Sequence, residues 1–270
     1  MSEIAPSTPT PSGLLLVDKP VGPTSMDVCR VVKRALRAAG PQVPKRIKVG
    51  HGGTLDPLAS GLLVVLVGKA TPLCDVVMAG AKTYEAEIDL RWCTTTDDRE
   101  GEAVTAPEAA MPAGAAAPDR AVVEGVVSRF VGVIQQRPPA YSAMKVGGKR
   151  AYDLARAGRE VELAARPVRV DAIRVMAYEW PKLRVEVECG KGTYIRSLAR
   201  DIGVALGRGG HLAGLRRTRI GRWRVEEAAG MSALPRVLRQ DDLRPVPADL
   251  RAGGSLRGPE AAGGEPTSTM

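Results

Sequence analysis

Gly50-His51-Gly52-Gly53-Thr54-Leu55-Asp56-Pro57-Leu58-Ala59-Ser60-Gly61, followed by the apolar run 62–67 and then Gly68-Lys69-Ala70-Thr71, decides how the chain is read. Gly50, Gly52 and Gly53 allow φ > 0 and a close approach of backbone to ligand. Pro57 fixes its own φ and drives Asp56 toward an extended conformation. One aspartate in a rigid turn, immediately before a run that reads as a fully buried strand, is placed to aim its oxygens at a substrate. An Asp-Pro pair is also a common Asx-turn, so these residues alone leave both readings open. Walker-type lysine and GxGxxG spacings are absent, which disfavours a phosphate cradle.

Upstream, residues 14–17 read as a short strand ending in the turn Asp18-Lys19-Pro20. Thr24 or Ser25 caps a helix to about residue 39, with Val28, Val31, Val32 and Leu36 as its buried stripe and Gly40 as its stop. Between Asp27 and Asp56 stand seven cations (Arg30, Lys33, Arg34, Arg37, Lys45, Arg46, Lys48) and no acid. That pattern fits a solvated face and a phosphate-tracking surface equally well.

Downstream, Thr71-Pro72 should open a short helix to about residue 78. Residues 82–90 alternate, with Tyr84, Ala86, Ile88 and Leu90 on one face of a strand. Residues 102–120 read as a surface loop, after which Asp119 caps a helix that buries Val122, Val123, Val126, Val127 and Phe130. Residues 168–178 and 183–189 form a hairpin turning near Pro181. Thr193 then caps a helix with Ile195, Leu198, Ala199 and Ile202 inward. Arg196 falls in the first turn of that helix, against the preference of the macrodipole, and a residue so placed hints at function. The run 214–224 carries five arginines and no acid, which suits a charged edge strand or an RNA-facing strand.

Composition limits the function classes. The 270 residues carry a formal charge of +9, compatible with a polyanionic partner. Cys29, Cys74, Cys93 and Cys189 show no CxxC spacing and read as reduced packing residues. With two histidines far apart, no metal site is expected. No apolar run reaches membrane-spanning length and residues 1–12 lack a signal-peptide pattern, so a cytoplasmic protein without membrane contact is expected. Residues 1–12 and 251–270 read as disordered tails around one domain over 13–250.

The central stretch resembles the signature GHxGTLDPxAxGxLxxxxGxAT of the TruB-type tRNA pseudouridine synthases, with Gly52 where the family usually has threonine. Leu14-Leu15-Leu16-Val17-Asp18-Lys19-Pro20-Val21-Gly22-Pro23-Thr24-Ser25 resembles the family's first motif. The segment 137–152 resembles its RNA-clamping thumb loop, PxxYSAxKxxGxxxYxxAR. Residues 191–203 match KGTYIRSLxxDxG, and Leu215-Arg216-Arg217 matches the family's LRR element. The resemblance implies an α+β pseudouridine synthase fold, with a central, largely antiparallel sheet flanked by helices and an inserted thumb loop. It implies an isomerase that needs no cofactor and converts uridine 55 in the T-loop of tRNA to pseudouridine on a flipped-out base.

The same resemblance makes Asp56 the catalytic residue, Arg196 its charge partner and Tyr84 the active-site tyrosine. His51 would stack in the gap left by the flipped nucleotide, and Tyr194 and Leu215 would line the uracil pocket. Lys19, Lys145, Lys149, Arg150, Arg216 and Arg217 are expected to contact RNA. Many bacterial relatives carry a small C-terminal RNA-binding domain. The stretch after residue 250 is too short for one, so recognition through the T-arm by a monomer without an obligate protein partner is expected. The second reading is a non-catalytic RNA-binding or tRNA-folding protein on the same fold, a role that needs no Asp56–Tyr84–Arg196 set.

Overall fold

All six residues of the apolar run, Leu62 to Val67, have no exposed surface. They belong to strand β3 (Ala59–Val67), covered on both faces as such a run requires. The computed structural model describes residues 10–104, 116–142, 144–146, 149–150 and 163–251. The expected tails at 1–9 and 252–270, and loop residues 105–115, lie outside these. So do 143, 147–148 and 151–162 of the expected thumb loop.

The strands in chain order are β1 (Gly13–Lys19), β2 (Val49–His51), β3, β4 (Lys82–Asp89), β5 (Cys93–Thr94), β6 (Ala103–Val104) and β7 (Gly132–Gln136). They continue as β8 (Lys145–Val146), β9 (Lys149–Arg150), β10 (Arg166–Glu179), β11 (Lys182–Cys189), β12 (His211–Ile220), β13 (Trp223–Arg224) and β14 (Ala229–Gly230). The main helices are α1 (Ser25–Arg37), α2 (Cys74–Ala79), α3 (Arg120–Ser128) and α4 (Ile195–Ala205). Ten strands form one sheet in the order β14-β1-β3-β12-β4-β11-β10-β7, with β2 beside β3 and β13 beside β12. The β1–β14 and β3–β12 pairs are parallel and the other pairs of this sheet antiparallel, so the fold is α+β with a mixed, largely antiparallel sheet.

Period-two alternation divides the core. Leu15, Val17, Leu63 and Val65 meet Val28, Cys29, Val32, Ala35 and Leu36 of α1. Leu14, Leu16, Leu62, Val64 and Leu66 meet Val77 of α2 on the opposite face. A third cluster joins Ala86, Ile88, Leu183, Val185 and Val187 to α3 and α4. Ile220, paired with Lys82, belongs to the α2 cluster, whereas Ala86 and Ile88, on the Lys82 face by alternation, belong to the α3–α4 cluster. Two helical layers therefore lie side by side on one face of the sheet. The seam between them falls at Lys82 and Tyr84.

Local chemistry explains most element ends and corrects several expectations. Thr24 caps α1 through a reciprocal box with Asp27. Val31 is half-buried, and Cys29 and Ala35 complete the stripe in its place. Thr71 does not start a helix: it sits inside the 3-10 turn Gly68–Leu73, its hydroxyl spent on the Gly68 carbonyl, and α2 begins at Cys74. On α3, Val122 is exposed while Val123, Val126 and Val127 are buried. Thr193 does not cap α4, because its hydroxyl is turned toward the Arg169 carbonyl. Buried Gln136 instead grips both backbone groups of Tyr194, at 2.8 and 3.1 Å, where α4 begins. Finally, β12 lies inside the sheet between β3 and β4, which removes the charged-edge reading of its arginines.

Candidate active site

The loop carrying Asp56 is fixed before any substrate arrives. Gly52 N–H donates to the Val64 carbonyl at 2.8 Å, and Ser25 Oγ both accepts from Leu55 N–H (2.8 Å) and donates to its carbonyl (3.1 Å). On the far side Gly22 N–H donates to the Pro57 carbonyl and Ala59 N–H to the Asp56 carbonyl. From beneath, the fully buried Arg217 donates to the carbonyls of Leu62 (2.8 Å), Gly53 (3.1 Å) and Thr54 (3.3 Å). The parallel β3–β12 pairing sets Arg217 against Gly61, where a Cβ would stand 2.3 Å from the Arg217 carbonyl oxygen. Only glycine permits this contact, and the loop's rigidity depends on it.

Asp56 opens into a cleft of about 310 Å³, at the small end for a ligand site. Tyr84, Lys82, Met78, Tyr141, Tyr194, Arg196, Leu215 and Arg217 are among its walls. Arg196 Nε lies 3.1 Å from Asp56 Oδ2 and its Nη1 3.5 Å from Asp98 Oδ2. The same guanidinium donates to the carbonyls of Thr96 (3.2 Å) and Tyr141 (2.9 Å), which fixes its plane. The Arg196 side chain is 8% exposed and that of Asp98 5%, whereas Asp56 keeps 39% of its side-chain surface toward the cleft. Asp98 thus serves as the buried counter-charge, and Asp56 is the oriented carboxylate left accessible.

Buried cations surround the Asp56 loop. Lys82 and Arg217 line the cleft itself, and Lys19 lies outside its lining but within reach of the charge of Asp56. Lys19 is fully buried, its Nζ donating to the carbonyls of Pro20 and Pro23, both at 2.8 Å. Burial pushes its pKa down, opposed by the charge of Asp56. Lys82 Nζ donates to the carbonyls of Met78 and Gly80, and burial beside Arg217 lowers its pKa to about 8. Burial pushes the Tyr84 hydroxyl up, while the Arg217 guanidinium works against it, so this phenol stays protonated at neutral pH. The arrangement offers an accessible carboxylate, a neutral hydroxyl and a surround of fixed positive charge. It suits a substrate in which negative charge develops during reaction.

Comparison with known proteins adds an independent observation. The profile described as TruB family pseudouridylate synthase (N terminal domain) matches residues 39–195, and that of the tRNA pseudouridylate synthase B C-terminal domain matches residues 196–246. The chain belongs to the TruB family. It is 46% identical over 229 residues to a protein of Mycobacterium avium (strain 104) named tRNA pseudouridine synthase B, covering 83% of this chain and 70% of that one. The protein of the same name from Leifsonia xyli subsp. xyli is 49% identical over 228 residues, covering 83% and 72%. Among solved structures, a Cbf5-Nop10-Gar1 complex matches with a TM-score of 0.60 and 29% identity, over 86% of this chain and 59% of that chain. An archaeal box H/ACA sRNP Nop10-Cbf5 complex matches with a TM-score of 0.56 and 28% identity, over 82% and 51%. The chain therefore spans half to three fifths of those solved chains.

Within this TruB-family fold, residues far apart in sequence are gathered at the seam: Asp56, Tyr84, Tyr194, Arg196 and Leu215 line one cleft. His51 ends β2, half-buried outside that lining, and burial lowers its pKa. Two expected RNA contacts are placed otherwise. Lys19 and Arg217 are buried rather than displayed on the surface, and their charged heads hold backbone carbonyls around the Asp56 loop. Arg216 is paired bidentately with Asp18, and Arg222 with Asp249, so part of the second basic run is already neutralised. The side chains of Lys145, Lys149 and Arg150 lie outside the described residues. The first basic run rides on α1 and the segment after it, across the sheet from α2.

Gly52, the family departure, has a local counterpart. A Cβ built there would stand 2.1 Å from Val77 Cγ1, so a valine from α2 occupies the space that a threonine would need. Sequence reading missed Asp98, Lys82 and the turn through Thr96 and Asp97. Seven consecutive polar residues, Thr94 to Glu100, were the available signal.

Proposed function

We propose that this protein is a tRNA pseudouridine synthase that isomerises uridine 55 in the T-loop, with Asp56 as the catalytic residue. The observation that carries the reading is Asp56 held 3.1 Å from a buried arginine at the mouth of a cleft that Tyr84 also lines. The reaction breaks the bond between ribose C1′ and uracil N1, turns the base and forms C1′–C5. The C5 proton leaves and N1 gains one, so atoms and charge balance without a redox partner. An oriented, ionised carboxylate is a competent covalent catalyst for such a rearrangement. Lys82 and Arg217 in the cleft lining favour the uracil as it departs with the bonding electrons. Tyr84 supplies a ring face for the base and a hydroxyl for proton transfer.

The target base must leave its stack at a cost of a few kcal/mol, which is least in an RNA loop. Recognition through the T-arm follows on this reading, with phosphate contacts supplying most of the affinity. The test is incubation of wild-type protein and Asp56→Asn with unmodified tRNA, followed by mapping of pseudouridine. Wild-type protein should modify position 55. Asp56→Asn should give no product while binding tRNA within about tenfold of wild type. Single-turnover product from the asparagine variant would overturn the role of Asp56, and product at another position would overturn the T-loop assignment.

A further inference from the structure

α4 carries a second arginine one turn beyond Arg196. Arg200 Nη1 donates to Asp97 Oδ2 at 2.6 Å, its Nη2 to the Arg137 carbonyl at 3.0 Å, and its Nε to Asp201 Oδ1 at 2.9 Å. Two of these partners adjoin the partners of Arg196. Asp97 stands between Thr96, whose carbonyl Arg196 binds, and Asp98, whose carboxylate faces it. Arg137 opens the short segment whose Tyr141 carbonyl also accepts from Arg196. Arg200 thus grips the two stretches of chain that hold Arg196 in place.

Asp97 has φ 60°, the only positive φ outside glycine among the described residues. With residue 97 left-handed, the Thr96 carbonyl and the Asp98 carboxylate converge on one guanidinium. Such conformations persist where surrounding contacts enforce them, and they gather at functional sites. The enforcing contacts here are the Arg200 pair, the Leu212 N–H donated to the Asp97 carbonyl, and the Asp97 N–H donated to Thr94. An ion pair serving only to tie α4 to a surface loop would not require this backbone geometry.

We propose that Arg200 and Asp97 are positioning residues for the reaction, setting the guanidinium of Arg196 and through it the carboxylate of Asp56. The proposal rests on the synthase reading given above. Arg200 is not among the residues that line the cleft and makes no ion pair with Asp56, so its effect should appear in the chemical step and not in RNA affinity.

The test compares wild type, Arg200→Met, Arg200→Lys and Asp97→Asn in single-turnover pseudouridine formation, with Kd for unmodified tRNA measured in parallel. Arg200→Met should slow the single-turnover rate by about tenfold or more with Kd within about threefold, and Arg200→Lys should recover part of the rate. A rate within twofold of wild type, or a loss confined to Kd, overturns the proposal. A double-mutant cycle of thermal stability on Arg196→Met and Arg200→Met decides the point without activity. Non-additive Tm shifts support a shared scaffold, and additive shifts overturn it. An inactive wild-type protein would refute the synthase reading, while the stability cycle would still judge the coupling of the two arginines.

Discussion

Replacing Arg196 with methionine keeps most of the stem's packing and removes the one charge facing both Asp56 and Asp98, at 3.1 and 3.5 Å. The two carboxylates should respond differently. Asp56, with 39% of its side-chain surface exposed, can rehydrate, so leaving it alone costs little stability. Asp98, 5% exposed, cannot. Breaking a buried pair costs about 3–5 kcal/mol when one charge is stranded. Asp98 keeps hydrogen bonds from Thr96 Oγ1 (2.6 Å) and Glu100 N–H (3.0 Å), which puts the loss near the lower end. At roughly 2–4 °C per kcal/mol for a chain of this size, a cost of about 3 kcal/mol lowers Tm by about 6–12 °C. Thermal unfolding at neutral pH measures it. Adding Asp98→Asn to Arg196→Met should restore most of the Tm without restoring product, because Asp56 remains unpaired. An unshifted Tm in the single variant, or no recovery in the double, would refute the assignment of Asp98 as the stranded charge.

Tyr84→Leu should slow single-turnover chemistry by about a hundredfold or more, and Tyr84→Phe should retain part of the rate if ring stacking is the larger contribution. Equal inactivity of the two variants would give the main role to the hydroxyl. Asp97 gives a stability test with a definite sign. Burial lifts its pKa from 3.8 to about 6 in spite of Arg200 and Arg196. The folded chain keeps a proton that the unfolded chain has released, so this carboxyl's contribution is fully present below pH ~4 and lost as pH rises through about 6. Asp97→Asn cannot ionise and should gain on wild type across that window, by at most about 3 kcal/mol. Urea unfolding at both ends of the window is the measurement, and a difference that does not change with pH would contradict it.

Much of this was readable from residues because loop chemistry and alternation are local. The glycine–proline loop announced Asp56, and period two put Tyr84 on the inner face of β4. Arg196 drew notice for being set against its helix dipole. The failures share a physical cause. A basic run looks the same in sequence whether its cations meet solvent, carboxylates or carbonyls, and only the parallel placement of β12 beside β3 turned Arg217 inward. Lys19 was misread for the same reason, since two proline carbonyls four residues apart or nearer satisfy its head. Asp98 sits in a polar run that marks a turn, but its pairing with Arg196 depends on tertiary contact with α4, which that run does not encode.

The fit of Val77 against Gly52 bears on how such a loop can change over generations. A threonine introduced at position 52 into this background meets a side chain with no surface to retreat to, since Val77 has none exposed and is wedged against Leu62, Val64 and Leu66. Shrinking Val77 first opens a void beneath the loop, which also destabilises, but without a collision. The two positions therefore form an epistatic pair with a preferred order of exchange. The small residue on α2 must arrive before the larger one on the loop. A lineage holding Gly52 with Val77 is held there by the intermediate it would have to cross, although neither residue touches the reacting atoms.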